Sequence, residues 1–369
     1  MLKDFEGNCI YLSQNPNSHL LILGGSGYGK TYFLCRQMEE KISEKKKIFL
    51  IDYSGSYTKS ELEKNNFRFC NKVDIINPYE MTLQWDYSKP NLSSALIDTL
   101  INVLNIRSYY QKKLLNEGIL SVLSINNFFS IPLLVSRLEL LLSEKYDADE
   151  RKNICHLLTK IDPYSSLQEV QFLSGMDICE NGKYPSMTIL QLSNYPEIQR
   201  KFLVEFFTEM FWVEARMGKG RADIIALDEF QKLDLSPGMA LSSMLREGRK
   251  FGLSVYLSSQ FVAGYDNEAV STLMQAANKI FFHPCDNDLR MIANFIDPTS
   301  PNTWRSILKK LHKGEAVLSG SFRLGKGRKD IHTPIICEIG KEPKQLLLRR
   351  MNYLPNSLFV NNEASTEAY

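Results

Sequence analysis

No two cysteines in this sequence are separated by two residues. The seven (Cys9, Cys35, Cys70, Cys155, Cys179, Cys285 and Cys337) are scattered and odd in number. That excludes zinc-finger and thioredoxin-type spacing and reads as reduced, intracellular thiols. Long apolar runs are also missing. A patch such as Phe128–Val135 falls far short of the ~20 residues that span a bilayer. The opening MLKDFEGNCIYL lacks a basic stretch followed by an apolar one, so no secretory signal is expected. We therefore expect a cytoplasmic chain with no integral membrane segment. Excess charge is lacking too: 44 Lys and Arg oppose 42 Asp and Glu, a formal charge of +2. This rules out a polybasic nucleic-acid coat and leaves room for a local basic lining. His156, His283, His312 and His332 show no metal-ligand spacing, and no internal repeat is seen.

What is present is an ordinary globular composition, 44% hydrophobic and 23% charged over 369 residues. At roughly 150 residues per domain this suits two or three units, or one large α/β domain carrying an insertion. The apolar run His19–Gly24, a Gly-rich turn, a helical stretch from about Lys30 to Ser43 and a second apolar run Lys47–Tyr53 make a βαβ unit. Such units imply a parallel sheet. Helical spacing then dominates Ser93–Leu104, Ser108–Leu123, Pro132–Leu142 and Ala148–Ile161, predicting an all-helical insertion. Strand patterns resume at Ser186–Asn194, Ala222–Glu229, Leu253–Gln260 and Lys279–Pro284. Between the first two, Leu203, Phe206, Phe207, Met210 and Phe211 follow helical spacing and read as core. The segments GEAVLSG and TPIICEI close the chain as a hairpin-like pair. The organisation expected is a P-loop domain in two parts, residues 1–84 and 183–350, split by the insertion 85–182. A loosely ordered tail, 351–369, follows.

The sharpest signal is Gly24-Gly25-Ser26-Gly27-Tyr28-Gly29-Lys30-Thr31. It fits G-x-x-x-x-G-K-[ST] between a strand and a helix, the context that confirms a phosphate-binding loop. Backbone N–H groups of such a loop turn toward phosphates, and the helix N-terminus adds positive potential. Lys30 is expected to reach the β- and γ-phosphates of ATP, and the Thr31 hydroxyl to ligate Mg²⁺. The strand Ala222–Glu229 delivers Asp228 and Glu229 where open α/β sheets bind ligands. Asp228 fits the Mg²⁺-side carboxylate, and Glu229 the group that polarises an attacking water. Ser186–Asn194 lies between the two motifs in sequence and suggests an additional central strand between them. Some 198 positions separate Lys30 from Asp228, too many for a minimal P-loop core. Gln260 ends the next strand, where a neutral amide can contact the γ-phosphate. Arg246 and Arg249 precede that strand, on the side where a neighbouring subunit's nucleotide could lie.

Together the P-loop, the Asp-Glu strand and REGRKFGLSVYLSSQ resemble the FtsK/HerA superfamily of ring-forming, DNA-translocating ATPases. That superfamily includes conjugation and type IV secretion ATPases. NSHLLILGGSGYGKT resembles its His-containing entry strand, and LIDYSGSY its second strand and turn. NKIFFHPCDNDLRMIANF and LHKGEAVLSG resemble its closing strands and helix. The resemblance implies a RecA-like, additional-strand P-loop fold and Mg²⁺-dependent ATP hydrolysis. It places Arg249 at the family's trans-acting arginine and Gln260 at its sensor glutamine. It implies a homo-hexamer whose pore carries DNA, with a nuclease or secretion-channel partner as further options. The eighteen residues before His19 resemble neither an N-terminal β-barrel nor a transmembrane prefix, which leaves the subfamily and its cargo open. Two other readings stand beside a DNA translocase: a motor for protein or protein-bound DNA, and a nucleotide-gated switch controlling a nuclease. Candidate DNA-contacting residues are Arg216, Lys219 and Arg221, and Arg323, Lys326, Arg328 and Lys329. A solvated turn is the competing reading for each.

Overall fold

The computed structural model describes residues 2–340 apart from 5, 14–16, 69–72, 77–89, 127, 146, 168–171, 174–185, 219–221 and 326–329. Seven parallel strands form the centre of a sheet that has 12 strands among the described residues. Their spatial order is Asn278–Phe281, Leu20–Leu23, Ser254–Ser259, Ile224–Asp228, Ile48–Asp52, Met187–Gln191 and Val73–Ile76. An antiparallel wing continues from the first of these. It runs through Glu315–Ser319, Ile335–Ile339, Leu2–Lys3, Cys9–Leu12 and Phe322–Leu324. The pairing of Glu315–Ser319 with Ile335–Ile339 matches the expected closing pair. The wing strands of two to four residues were too short to announce themselves by alternation.

The central strands are continuous apolar runs because both faces are covered. Alternate side chains feed two cores. Leu21, Leu23, Phe49, Ile51, Ile225, Leu227, Val255 and Leu257 face one way. Leu20, Ile22, Ile48, Leu50, Ile224, Ala226 and Tyr256 face the other, beneath the helix Lys30–Ser43. Burial of each such Leu, Ile or Val is worth roughly 1.5–3 kcal/mol, so the two cores hold the strand ends at fixed heights. The expected stripe Leu203, Phe206, Phe207, Met210 and Phe211 lies wholly in the first core, on the helix Glu197–Arg216.

An additional strand does separate the P-loop strand from the Asp-Glu strand, and it is Ser254–Ser259. Met187–Gln191 pairs instead with the far side of Ile48–Asp52. Order in sequence does not dictate order in a doubly wound sheet. The six-residue strand Ser254–Ser259, buried at every position, takes the place between the two motif strands.

The segment after the βαβ unit contains helices Pro90–Val103, Tyr109–Ile125, Ile131–Glu144 and Ala148–Ile161. It also holds a two-residue ladder, Phe128–Phe129 with Phe172–Leu173, which an all-helical reading omits. Leu96, Leu115, Leu134 and Ile154 join the same core as Phe206 and Leu227. These helices are thus packed onto the sheet and not hung beside it. Among the described residues no helix is long and apolar enough to cross a membrane.

His19 opens the P-loop strand and is 1% exposed. Its Nδ1 accepts the Val255 N–H at 3.0 Å. Burial pushes its pKa down from 6.5 to about 4. The unfolded chain therefore takes up a proton between those values that the folded chain refuses. The stabilising contribution is complete above pH 6.5 and is lost as pH falls toward 4, with a loss on the order of 2 kcal/mol by pH 5. Urea unfolding at pH 7 and pH 5 tests this. His19→Gln should flatten that part of the pH dependence. An equal loss in wild type and variant would refute the assignment.

Candidate active site

Every central strand delivers its C-terminal end to one edge of the sheet, and the side chains of interest gather there. Register explains their heights. Leu23 pairs with Ser259 and with Phe281, and Ser258 pairs with Asp228. Leu227 pairs with Ile51, so Asp228 stands level with Asp52.

Gly24 follows Leu23 at φ 149°, and a Cβ there would sit 2.5 Å from Phe282 Cβ. The loop is thus pressed against the neighbouring strand's continuation. The Gly25 N–H donates to His283 O at 2.7 Å, and the Gly314 N–H donates to Tyr28 O at 3.0 Å. The Tyr28 ring stacks on His283 with centroids 4.7 Å apart. Ser26 and Gly27 remain exposed. Gly29, at φ 116°, caps the helix that begins with Lys30 and Thr31. Lys30 is 8% exposed, and its Nζ donates to Gly25 O at 2.9 Å, inside the loop. Burial lowers the Lys30 pKa, while Asp228 and Glu229 oppose that shift.

Asp228 is 7% exposed. Burial pushes its carboxyl up to about 6; Ser258 opposes this, Glu229 adds to it, Tyr57 opposes it and Asp52 adds. The Ser258 and Tyr57 hydroxyls are buried without reaching hydrogen-bond geometry to any partner. Tyr57 arrives there because the Asp52 carboxylate gathers a turn. It accepts the N–H groups of Gly55, Ser56 and Tyr57 at 2.8, 3.1 and 2.9 Å, and the Gln191 amide at 2.7 Å. A carboxylate whose pKa is raised first by burial and further by two acidic neighbours is a group that a cation would stabilise.

Glu229 adopts a left-handed backbone, φ 61° and ψ 40°. Such a conformation is uncommon for a non-glycine residue and marks functional turns. Its Oε1 accepts from Gln260 Nε2 at 2.8 Å, and its Oε2 accepts from Gln231 Nε2. Lys30, Thr31, Asp228, Glu229 and Gln260 all line one cleft of about 680 Å³, ample for a nucleoside triphosphate.

Arg249 and Arg246 are not in this cleft. Arg249 lies on a 3₁₀ turn, Gly248–Phe251, just before the strand Ser254–Ser259. It is at the opposite, N-terminal edge of the sheet, in a smaller recess with Ser18, Lys46, Asp223 and Ser254. Its side chain is exposed, and none of its hydrogen bonds or ion pairs is found among the described residues. Arg246 is occupied, donating to Thr272 Oγ1 at 3.2 Å and facing Glu268 at 3.5 Å. The turn is seated on His19: a Cβ on Gly248 would lie 2.9 Å from Leu253 O and 3.3 Å from His19 Cε1.

Of the candidate DNA-contacting residues, Arg216 is exposed and stacks over Trp212 at 5.5 Å. Arg323 pairs with Asp330 at 3.6 Å. Lys219, Arg221, Lys326, Arg328 and Lys329 lie outside the described residues, as does the tail 351–369. Three residues that sequence reasoning did not single out belong to the site's surroundings. Lys313 and Asn65 line the cleft, and Gln231 backs Glu229. Lys313 sits inside LHKGEAVLSG, a segment noted only for its strand. Gln231 and Asn65 carry no motif signal.

The family model described as "Helicase HerA, central domain" matches residues 7–211. The DNA double-strand break repair helicase HerA of Sulfurisphaera tokodaii is 25% identical over 345 residues, covering 88% of this chain and 65% of that protein. The protein of that name from Saccharolobus solfataricus is 25% identical over 346 residues, covering 86% and 65%. The chain thus spans just under two thirds of the length of these relatives. In structure it is similar to VirB4 of Thermoanaerobacter pseudethanolicus, with a TM-score of 0.62 at 15% identity, covering 90% of this chain and 92% of that one. It is also similar to the plasmid coupling protein TrwB in complex with ADP and Mg²⁺. There the TM-score is 0.58 at 14% identity, with coverage of 88% and 87%. These likenesses establish the RecA-like P-loop fold.

Proposed function

The chain belongs to the family of the HerA helicase central domain, within the FtsK/HerA superfamily, and from that premise we propose that it is a Mg²⁺-dependent ATPase that drives DNA movement as a ring. One observation carries this reading. Lys30, Thr31, Asp228, Glu229 and Gln260 meet in a single cleft while Arg249 stands free at the opposite edge of the same sheet. A site divided in that way is completed by stacking copies edge to edge, as in a closed ring.

The residues fit nucleotide and metal. The glycine conformations of the loop, the helix N-terminus at Lys30 and the lysine ammonium turned into the loop form a cradle for phosphates. Thr31 and Asp228 would hold Mg²⁺, which neutralises charge on β- and γ-phosphate oxygens when bound. The hydroxyls of Tyr57 and Ser258 oppose the rise in the Asp228 pKa. Glu229 would accept a proton from the attacking water. Gln260, on the same side, would exchange its bond to Glu229 for a contact at the γ-phosphate. Arg249 would reach the nucleotide of an adjacent subunit. A cytoplasmic homo-hexamer goes with this reading, with DNA in the pore and a nuclease or secretion-channel partner outside it.

ATP turnover by the full chain tests the reading, measured alone, with duplex DNA and with single-stranded DNA. Turnover within 1–10³ s⁻¹ is expected, raised by DNA and absent in Lys30→Ala. Undiminished turnover in Lys30→Ala would sink the ATPase assignment. Turnover indifferent to DNA and raised by a secretion-channel protein would move the cargo to protein. Turnover far below that range and insensitive to both would favour a nucleotide-gated switch.

A further inference from the structure

Glu229 uses both carboxylate oxygens, and the two donors are not equivalent. Gln260 lines the nucleotide cleft, whereas Gln231 does not. Gln231 lies on the far side of the carboxylate, on the short turn Phe230–Lys232 that follows it.

That turn is firmly held. Phe230 is 1% exposed and stacks on Tyr265, with ring centroids 6.3 Å apart. Tyr265 Oη lies 2.9 Å from both Phe230 O and Leu233 O, so its single proton bridges the ends of the turn. Left-handed Glu229 starts the turn and brings the side chain two positions later back beside its own. Gln231 then spans two strand ends. Its Nε2 donates to Glu229 Oε2, and its Oε1 accepts from Ser259 Oγ at 2.6 Å. Ser259 is fully buried and immediately precedes Gln260. Its hydroxyl has a second acceptor within 2.6 Å, Phe261 O, and its one proton serves either. The four side chains Glu229, Gln231, Ser259 and Gln260 therefore close a ring across the ends of two adjacent parallel strands.

We propose that Gln231 is a positioning residue for Glu229: it is the permanent holder of the carboxylate, and Gln260 is the exchangeable one. When Gln260 turns to a γ-phosphate, one carboxylate oxygen is freed toward the attacking water. The other stays tied to Gln231, so the carboxylate keeps its aim. The amide must also present the correct face, and Ser259 favours it: whenever its hydroxyl donates to Oε1, Nε2 is left directed at Glu229. Gln231 touches neither phosphate nor water and acts only through Glu229. This inference rests on the ATPase reading, with Glu229 as its proton acceptor.

The test uses the full chain with ATP and Mg²⁺, and compares wild type, Glu229→Gln, Gln231→Met, Ser259→Ala and the Gln231→Met/Ser259→Ala double variant. Methionine keeps the length of glutamine and removes the donor. A hydrogen bond to a charged group is worth ~10- to 100-fold, so kcat in Gln231→Met should fall by about that factor. KM for ATP should stay within about twofold, because phosphate contacts are untouched. Ser259→Ala should lower kcat by a smaller factor. The double variant should be no slower than Gln231→Met alone, since the serine acts through the glutamine. Full kcat in Gln231→Met beside an inactive Glu229→Gln would overturn the positioning role and leave the ATPase reading standing. A raised KM with unchanged kcat would overturn it as well. If Gln231→Met does not fold, Ser259→Ala decides, and wild-type kcat there refutes the proposal. Absence of turnover in wild type would remove the ATPase reading and this proposal together.

Discussion

Glu229→Gln should bind ATP as wild type does and hydrolyse it 10²- to 10⁴-fold more slowly, the range expected when a general base is removed. The geometry sets both halves of this expectation. Glu229 lines the cleft with its carboxylate held by two amides. The groups that would grip phosphate, Lys30 and the loop backbone, belong to a different strand end. Glutamine preserves shape, loses the charge that accepts a proton, and turns one acceptor oxygen into an NH₂ group that faces a donating amide. Binding of a fluorescent ATP analogue and single-turnover hydrolysis, measured on the same preparation, separate the two effects. Loss of binding would assign Glu229 a role in holding the nucleotide. Undiminished hydrolysis would remove it from the chemistry altogether. Asp228→Asn offers a useful contrast, because the proposed function gives this buried carboxylate, pushed up to about 6, to the metal and not to the water. It should raise the Mg²⁺ requirement as well as slow turnover.

Arg249→Ala should abolish hydrolysis, by 10³-fold or more if the arginine acts as fingers in other P-loop enzymes do. It should leave ATP binding by the isolated chain intact. The structure makes this a strict expectation, since Arg249 and the cleft are at opposite edges of one sheet. No rotation of the side chain can bring it to its own chain's nucleotide. Under the proposed function it could serve only a second copy. Mixing Arg249→Ala with Glu229→Gln subunits should then restore part of the activity, because some junctions combine an intact arginine with an intact glutamate. Two dead variants that stay dead when mixed would count against a shared site. Arg246 provides an internal comparison. It is already engaged by Thr272 and Glu268, so Arg246→Ala should cost far less. Nucleotide should also promote assembly if each site spans two chains, which sedimentation with and without ATP would show.

Much of this could be read from local patterns. Strand, glycine turn and helix are contiguous at His19–Ser43, and their chemistry depends on near neighbours in sequence. The same holds for the apolar strand ending in Asp228 and Glu229, and for the aromatic stripe of Glu197–Arg216. Two-residue and three-residue strands such as Leu2–Lys3 and Phe322–Leu324 left no readable period. Leu2–Lys3 pairs with Ile335–Ile339 and Phe322–Leu324 with Cys9–Leu12, each more than 300 positions away, although Leu2–Lys3 also pairs locally with Cys9–Leu12.

The sequence by itself determined the phosphate loop, the acidic strand end, the trans-placed arginine as a candidate and the P-loop class. Each of these is a short string whose backbone geometry follows from glycine, from alternation or from helix periodicity. Only the tertiary structure decided which strand lies between the motifs, and on which edge Arg249 falls. It alone showed that Tyr57 and Ser258 back Asp228 and that Gln231 backs Glu229. Those contacts arise from the register of parallel strands far apart in the chain. Register is set by how two apolar faces pack against their helices, a property of the whole core and of no single segment.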